Sequence, residues 1–524
     1  MTSPFPQSHV AMLTTLNKTL STTCSLFGHY LRLITTVIII STCVEISAQN
    51  WNIATGGNAM HNGLSAVHGP VDETLLWSGG LPSAIAKSVV SDSIYLATVR
   101  IHNLSNALEG SKIVMMHMLT GDTLWTRNLP VDFPSTDWTN KISALHDGVL
   151  YASRSGNSNQ AYLYALDAAT GSILWRSEDL IDESSTEGAN FLADGDLIVG
   201  NIQSILRINK DDGSTVWQNY RLGYQDGAEL AIHNEKIYGI INDMQQLKVG
   251  AFDAADGQLL YSSEAIDNGL IQQHGLFVAT DGTIYLPRSQ NNPITDFLYS
   301  LSDTGESIEQ NWSIPLHYVP FSTSACGPDG SIYSYSRSGR VMRIDPDLGT
   351  VTDSSEVILF GDANYPRMVI DNSGRVNVTN GGFSDGNFYS FNADLSLRWQ
   401  TPVSGVFIGG PIIGLNGTLV ICGIANDIRA YIGESDETSV AQAWNTPTSA
   451  IHLFPNPAQN RIELRAKPTD IGTRYTIFDC IGKSVLSDII VSEVSPIDLS
   501  RLQPGIYSLM LGYDSTCKVK FIKE

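Results

Sequence analysis

Serine, histidine and aspartate are plentiful in this chain, yet no Gly-x-Ser-x-Gly turn presents a serine for activation by a base. His146 and His233 stand in or beside tight turns, Asp147-Gly148 and Asn234-Glu235, where solvent exposure is expected and catalysis is not. Asp345-Pro346-Asp347 and Asn209-Lys210-Asp211-Asp212-Gly213 have the acidic look of a calcium loop. Neither is followed by the acidic residue that closes a twelve-residue calcium loop, and both fall where the chain needs a turn. Cys326, Cys422, Cys480 and Cys517 form no Cys-x-x-Cys pair and have no metal-spaced histidine beside them, so no metal centre is expected. The chemistry that remains is recognition. Trp138, Arg154, Arg288, His317 and Tyr318 sit in connections of variable length, and arginine and aromatic side chains on a rigid face suit contact with a protein or a glycan. Incidental surface composition is the competing reading of those five.

The elements that must position them repeat. A tight turn before an apolar strand recurs at Ser91-Asp92, Asp147-Gly148, Asp194-Gly195, Asn234-Glu235, Asp281-Gly282, Asp329-Gly330, Ser373-Gly374 and Asn416-Gly417, a period of about 40–50 residues. A second marker alternates with it. Thr120-Gly121 leads to Trp125, Thr170-Gly171 to Trp175 and Asp212-Gly213 to Trp217, with altered copies at Asp256-Gly257 to Tyr261, Thr304-Gly305 to Trp312, Leu348-Gly349, and Asp394 to Trp399. Two hairpins per unit make four antiparallel strands, which is one propeller blade. The first marker occurs eight times and the second seven. The last unit stops after its third strand at Ala430-Tyr431-Ile432, and an orphan strand, Glu73 to Trp77, stands at the other end. An eight-bladed ring closed by the N-terminal strand accounts for both leftovers and removes two open sheet edges.

The block Ala165–Trp175 and the lead-in Gly56–Pro70 resemble the PQQ-like repeat β-propellers, and the resemblance covers residues 49–433. It implies the ring and invites a quinone-dependent dehydrogenase. Those enzymes hold their quinone under adjacent bonded cysteines, with Ca²⁺ and an aspartate base. This sequence has no adjacent cysteine pair and no matching Glu–Asn–Asp set, so neither an enzyme nor a cofactor is expected.

Both ends read as addresses. Residues 31–44 are an apolar run behind Arg32, too short to span a membrane and of the length of a signal-peptide core. Cleavage is expected after Ala48, giving a signal peptide over 1–48. Starts at Met1 and at Met12 are both compatible, and Cys43 follows a poor lipidation context. Residues 434–449 are polar and aperiodic, hence a linker. Residues 450–524 are short alternating strands between Pro and Gly turns, a small β-sandwich. A disulfide between Cys480 and Cys517 is left open. Pro455-Asn456-Pro457, Gly482-Lys483 and the run Pro504, Gly505 and Tyr507, with a basic end, resemble the C-terminal sorting domain of the type IX secretion system. That resemblance implies export through the type IX machinery of a Gram-negative cell, removal of the tail, and release or attachment to surface polysaccharide.

Charge agrees with an extracellular fate. Residues 49–449 carry 20 basic and 44 acidic side chains, a balance of -24, against +1 for each end. Such a surface repels phosphate backbones, so nucleic acid is excluded as a partner. Composition and motifs together point to an exported binding or scaffold propeller at the cell surface. An extracellular enzyme with its site in the funnel and a periplasmic outer-membrane assembly factor are the alternatives.

Overall fold

In the computed structural model, residues 52–53, 57–79, 85–92, 94–101, 111–134, 137, 139–155, 160–182, 189–200, 203–221, 230–243, 246–266, 276–291, 294–315, 324–336, 338–356, 367–379, 386–403, 411–423, 427–433, 452–454, 458–465, 471, 473–478, 484–492, 494–511 and 518–523 are described. They contain strands and turns and no helix. The chain divides into two compact units, Met1–Glu434 and Ser435–Glu524.

In the first unit eight sheets follow one another along the chain, each antiparallel and ordered from an inner to an outer strand. Blade 1 consists of Ile85–Ser91, Tyr95–Ile101, Ser111–His117 and Thr123–Arg127. Blade 2 consists of Thr139–His146, Val149–Ser155, Gln160–Asp167 and Ile173–Asp182. Blades 3 to 7 repeat the pattern from inner strands Asn190–Phe191, Ala231–His233, Phe277–Val278, Ala325–Cys326 and Met368–Ile370. Blade 8 has three consecutive strands, Ile412–Ile413, Leu419–Cys422 and Ile428–Tyr431, and takes Leu75–Gly79 as its outer strand. Leu75 pairs with Tyr431 and Trp77 with Ala430 across a bulge, so the ring closes as the two orphan strands required. Blade 2 carries a fifth strand that the repeat did not announce: Asn52–Ile53 lies against Leu145 and Ala144 on its inner edge.

Each junction between blades has its own apolar core, because strand alternation sends every second side chain to a neighbour. Trp77, Trp125, Trp175, Trp217 and Trp312 each lie flat against the turn glycine of the next blade, Gly121, Gly171, Gly213, Gly257 and Gly349. A Cβ on any of these glycines would fall within 3.0 Å of the indole, and each glycine has a positive φ. Glycine is therefore required twice at each such turn, for its backbone and for its missing side chain. Four of the indoles also donate to a carbonyl of the next blade: Trp77 to Met118, Trp125 to Ala168, Trp175 to Lys210 and Trp312 to Pro346, at 2.7–2.8 Å.

Where the tryptophan is lost, polar groups replace it. Between blades 4 and 5, Asp303 accepts from Lys236, Tyr238 and Tyr261 at 2.7 Å each. Between blades 6 and 7, Tyr333 donates to the Ala393 carbonyl at 2.8 Å.

The second unit has a three-stranded sheet (His452–Phe454, Arg461–Arg465, Val494–Asp498) and a four-stranded one (Ser484–Ile489, Arg474–Phe478, Gly505–Leu511, Lys518–Lys523). Ile462, Leu464, Tyr475, Ile477, Leu509 and Phe521 form their shared core.

Candidate functional site

A blade runs back and forth between the two faces of the ring, so its turns fall on one face and its longer connections on the other. The connection from blade 1 to blade 2 is the long one described almost throughout, and buried charge builds it. Asp137 is fully buried, and its Oδ2 accepts the backbone N–H groups of Asp132 and Phe133 at 2.8 and 2.7 Å. Arg154 donates through Nε to the Asp137 carbonyl at 2.9 Å and through its terminal nitrogen to the Leu129 carbonyl at 2.5 Å. The Leu129 N–H is in turn accepted by Asn140 Oδ1 at 3.1 Å. Both ends of the loop are thus pinned from beneath.

A shelf stands on this base. Phe133 stacks on Tyr162 with ring centres 6.0 Å apart and planes 12° from parallel. The Arg176 guanidinium lies 4.2 Å from the Tyr162 ring centre, close enough for a cation–π contact. Asp132 ties the two strands to the loop, accepting from Tyr164 at 2.6 Å and from Arg176 at 3.1 Å. Burial, and then Asp132, raise the Tyr164 pKa, so this hydroxyl stays a donor. Val131, Phe133 and the Arg176 side chain remain 42%, 37% and 48% exposed. An apolar tip, an aromatic plate and a cation held in fixed geometry lose little entropy on meeting a ligand.

Of the residues expected to form a binding face, Arg154 is corrected. It is 3% exposed and spends its donors on loop carbonyls, so it positions the loop and has no surface to offer. Trp138, His317 and Tyr318 lie outside the described residues. The Arg288 backbone pairs with Phe297 in blade 5, and its side chain lies outside the description. His146 is also less open than its turn suggested, with its ring centre 4.4 Å from that of Phe191. Phe133, Tyr162, Arg176 and Asp132 were missed. The only signal in the sequence was that Phe133 shares a loop with Trp138, while Tyr162 and Arg176 lie in regular strands.

In the sorting domain, Ala48's counterpart at the far end of the chain is a set of motif residues only partly visible: Pro455, Asn456, Pro457, Gly482 and Lys483 lie outside the described residues, as does Ala48 itself. Pro504 and Gly505 are exposed at the start of a strand, whereas Tyr507 is 8% exposed. Its hydroxyl donates to the Gln503 carbonyl at 2.8 Å and its ring stacks 5.7 Å from Phe521. The PGIY run is therefore a turn locked onto a core.

The funnel is not empty on the turn face. Residues 57–67 cross it, leaving a cavity of about 320 Å³ bordered by Asn58, Asn62 and Ser65 of the lead-in and by Thr280, Pro328 and Asn372 of the inner turns. Among the described residues, no charged side chain borders this cavity. Among the described residues, no three His, Cys, Asp or Glu side chains gather closely enough to hold a metal ion.

A family profile described as "Outer membrane protein assembly factor BamB" matches residues 109–355, and one described as "Secretion system C-terminal sorting domain" matches residues 452–524. No curated protein matches the sequence. Among solved structures, a europium-containing methanol dehydrogenase is similar at 11% identity and a TM-score of 0.51, over 74% of this chain and 90% of that one. BamB from Moraxella catarrhalis is similar at 15% identity and a TM-score of 0.42, over 68% of this chain and 98% of that one. PorZ, a surface component of the type IX secretion system of Porphyromonas gingivalis, is similar at 13% identity and a TM-score of 0.39, over 84% and 69%. At such identities the likeness concerns the fold, and that fold serves a dehydrogenase as well as other proteins. The chain carries a PQQ-like repeat domain, folded as a β-propeller, and a type IX C-terminal sorting domain, which directs secretion to the cell surface or outer membrane of a Gram-negative bacterium.

Proposed function

We propose that the exported propeller is a binding or scaffold module for a protein or glycan, and that it engages its ligand through the face bearing the blade 1–blade 2 connection. The observation that carries this reading is the shelf of Val131, Phe133, Tyr162 and Arg176, whose supporting loop is fixed by buried Asp137 and Arg154. Trp138 follows Asp137 directly, and His317 and Tyr318 belong to the blade 5–blade 6 connection, which leaves from the same strand ends. They and Arg288 are assigned to the same face. The proposal includes a leader over 1–48, the propeller over 49–433, a linker over 434–449 and the sorting domain over 450–524, with attachment to surface polysaccharide as one fate of the product.

No catalysis and no quinone are assigned. Titration of the mature protein with PQQ and Ca²⁺ is expected to give no saturable binding. Micromolar binding, or oxidation of an alcohol or sugar, would overturn that assignment.

The binding reading is tested with a glycan array and with purified surface proteins of the host, comparing the wild type with Phe133→Ala/Arg176→Ala. A specific ligand lost by at least about tenfold in the double variant, at unchanged melting, supports it; loss of an aromatic or arginine anchor is worth 2 kcal/mol or more. Equal binding by both proteins removes the shelf from the site.

A further inference from the structure

The outer strand of blade 7, Leu397–Val403, presents Trp399 just past a bulge, where Trp125 and Trp175 stand in blades 1 and 2. Those two indoles lie on the turn glycine between the third and outer strands of the next blade. Blade 8 has no such turn, because its third strand, Ile428–Tyr431, and its outer strand, Leu75–Gly79, come from opposite ends of the unit. Trp399 packs instead on Phe388 and Tyr431, with ring centres 4.7 and 5.0 Å away. Its Nε1 is buried and has no hydrogen-bond partner among the described residues.

The rim of this junction is open. A groove of about 730 Å³ runs along it, bordered by Thr401 of blade 7 and by Asp427, Arg429 and Tyr431 of blade 8. Ser78 borders it from the outer strand of blade 8, and Glu73 from the segment that leads into that strand. Strand alternation brings these groups together. Ile428 and Ala430 enter the core shared with blade 1, which turns Arg429 and Tyr431 toward blade 7.

A fixed polar pair lies in the groove. Arg429 donates to both Asp427 oxygens, through Nε at 2.8 Å and a terminal nitrogen at 3.2 Å. Its other terminal nitrogen donates to Thr401 Oγ1 at 3.0 Å. A planar fork tied on two sides holds its geometry before any ligand arrives. The Arg429 and Asp427 side chains are 26% and 19% exposed, so both remain open to solvent. A guanidinium has more N–H groups than these three bonds use, and a carboxylate more lone pairs than two. Glu73 and Ser78 are exposed, and the Leu75 side chain adds an apolar patch to the same wall.

This lining selects among ligands. Asp427 already matches the charge of Arg429, and Glu73 adds a negative one, so an anion is disfavoured. A sugar hydroxyl both donates and accepts. Neighbouring hydroxyls on one ring therefore donate to Asp427 and accept from Arg429 together, while the C–H face of the ring covers Leu75. The volume lies within the range of small-ligand sites. We propose that the groove between the outer strands of blades 7 and 8 is a binding subsite for a neutral glycan chain, with Asp427 and Arg429 as its hydrogen-bonding anchor. It shares no residue with the shelf of Phe133, Tyr162 and Arg176 and does not depend on it.

The test titrates the mature full-length protein with neutral malto-, cello-, laminari- and manno-oligosaccharides, and with oligolysine as the competing ligand class. At least one neutral oligosaccharide is expected to bind, and to bind equally well at low salt and at about 1 M, where charge attraction is screened within about 3 Å. Asp427→Asn removes a charged acceptor at nearly constant volume and is expected to weaken that binding by at least about tenfold. Ser78→Trp fills the groove from an exposed position and is expected to abolish it, which covers the case in which Asp427→Asn does not fold. Phe133→Ala/Arg176→Ala is expected to leave it unchanged. Absence of binding by every neutral oligosaccharide overturns the proposal. So does tighter, salt-sensitive binding of oligolysine that Glu73→Gln weakens, which would make the groove a site for basic peptides. Oligosaccharide binding that survives Ser78→Trp but is lost in Phe133→Ala/Arg176→Ala overturns it too, and assigns the glycan to the shelf.

Discussion

At the scale of single residues, the turn glycines carry a load that their neighbours make measurable. Gly257 and Gly305 both have positive φ, but a Cβ on Gly257 meets the Trp217 indole, whereas one on Gly305 meets nothing within 4 Å. Gly305→Ala is expected to cost about 1 kcal/mol, the price of the left-handed backbone alone. Gly257→Ala adds overpacking and is expected to cost about 2–4 kcal/mol. Denaturant melts of the two variants measure the difference, and equal losses would mean that the indole yields freely. His61 makes a different prediction. It is buried on the axis with φ 55°, and burial lowers its pKa to about 4, although Asn190 and the Leu230 backbone favour the protonated ring. In the unfolded chain the ring protonates near the ordinary value of about 6.5. Between those two values the unfolded state binds the extra proton, so stability falls as pH drops from about 6.5 to about 4 and the loss levels off below. His61→Asn keeps a residue that tolerates positive φ and removes the titration. Melting temperatures of wild type and variant across that window should differ in slope; parallel curves would place the proton elsewhere.

At the scale of elements, the blades were legible because each is local. A turn and the strand after it sit within a few residues, and the two markers recur eight and seven times, so damage to one copy of the second, such as Tyr261 or the degenerate Leu348-Gly349, left the count intact. The lead-in was legible only as a resemblance. Its partners lie far along the chain, they are mostly backbone N–H groups, and Ala59, Met60, Leu64 and Val67 enter different cores with no period to betray them. Arg154 shows the same limit from the other side. In the sequence it is a loop arginine of the kind that binds ligands. In the fold it is the floor of the loop, because Asp137 and the Leu129 carbonyl come to it from blade 1. Arg154→Met keeps most of the volume and leaves two buried carbonyls without this donor. A loss of about 2–3 kcal/mol is expected, since each unsatisfied buried polar group costs about 1–3 kcal/mol and the loop relaxes in part. Limited proteolysis should also find a new cut between residues 129 and 138. A variant that melts lower but resists cutting there would mean that Arg154 supports the blade and not the loop.

At the scale of the whole molecule, closure distinguishes Trp77 from the tryptophans that resemble it. Trp125 makes the same contacts one blade later, with an indole bond to Ala168 and a stack on Gly171. Its strand, however, is tied to blade 1 by the turn at Gly121, whereas the strand of Trp77 reaches blade 8 only through hydrogen bonds to Ile428–Tyr431. Both indoles are partly buried, packed against the cores of their junctions. Removing either should cost about 2–4 kcal/mol, the lower part of the range for large aromatic residues, because neither is fully enclosed. The consequences of that loss differ. Trp125→Ala weakens one junction in a ring that remains closed. Trp77→Ala weakens the one junction with no other covalent link, and fluctuations there expose the outer edge of Ile428–Tyr431, an unpaired strand of the kind that recruits other chains. Trp77→Ala is therefore expected to aggregate below its melting temperature and to lose protection at 57–79, while Trp125→Ala at matched stability does neither. Light scattering on heating and hydrogen exchange over 57–79 decide the matter. If the two variants behave alike, closure by the N-terminal strand adds nothing beyond one more docked tryptophan.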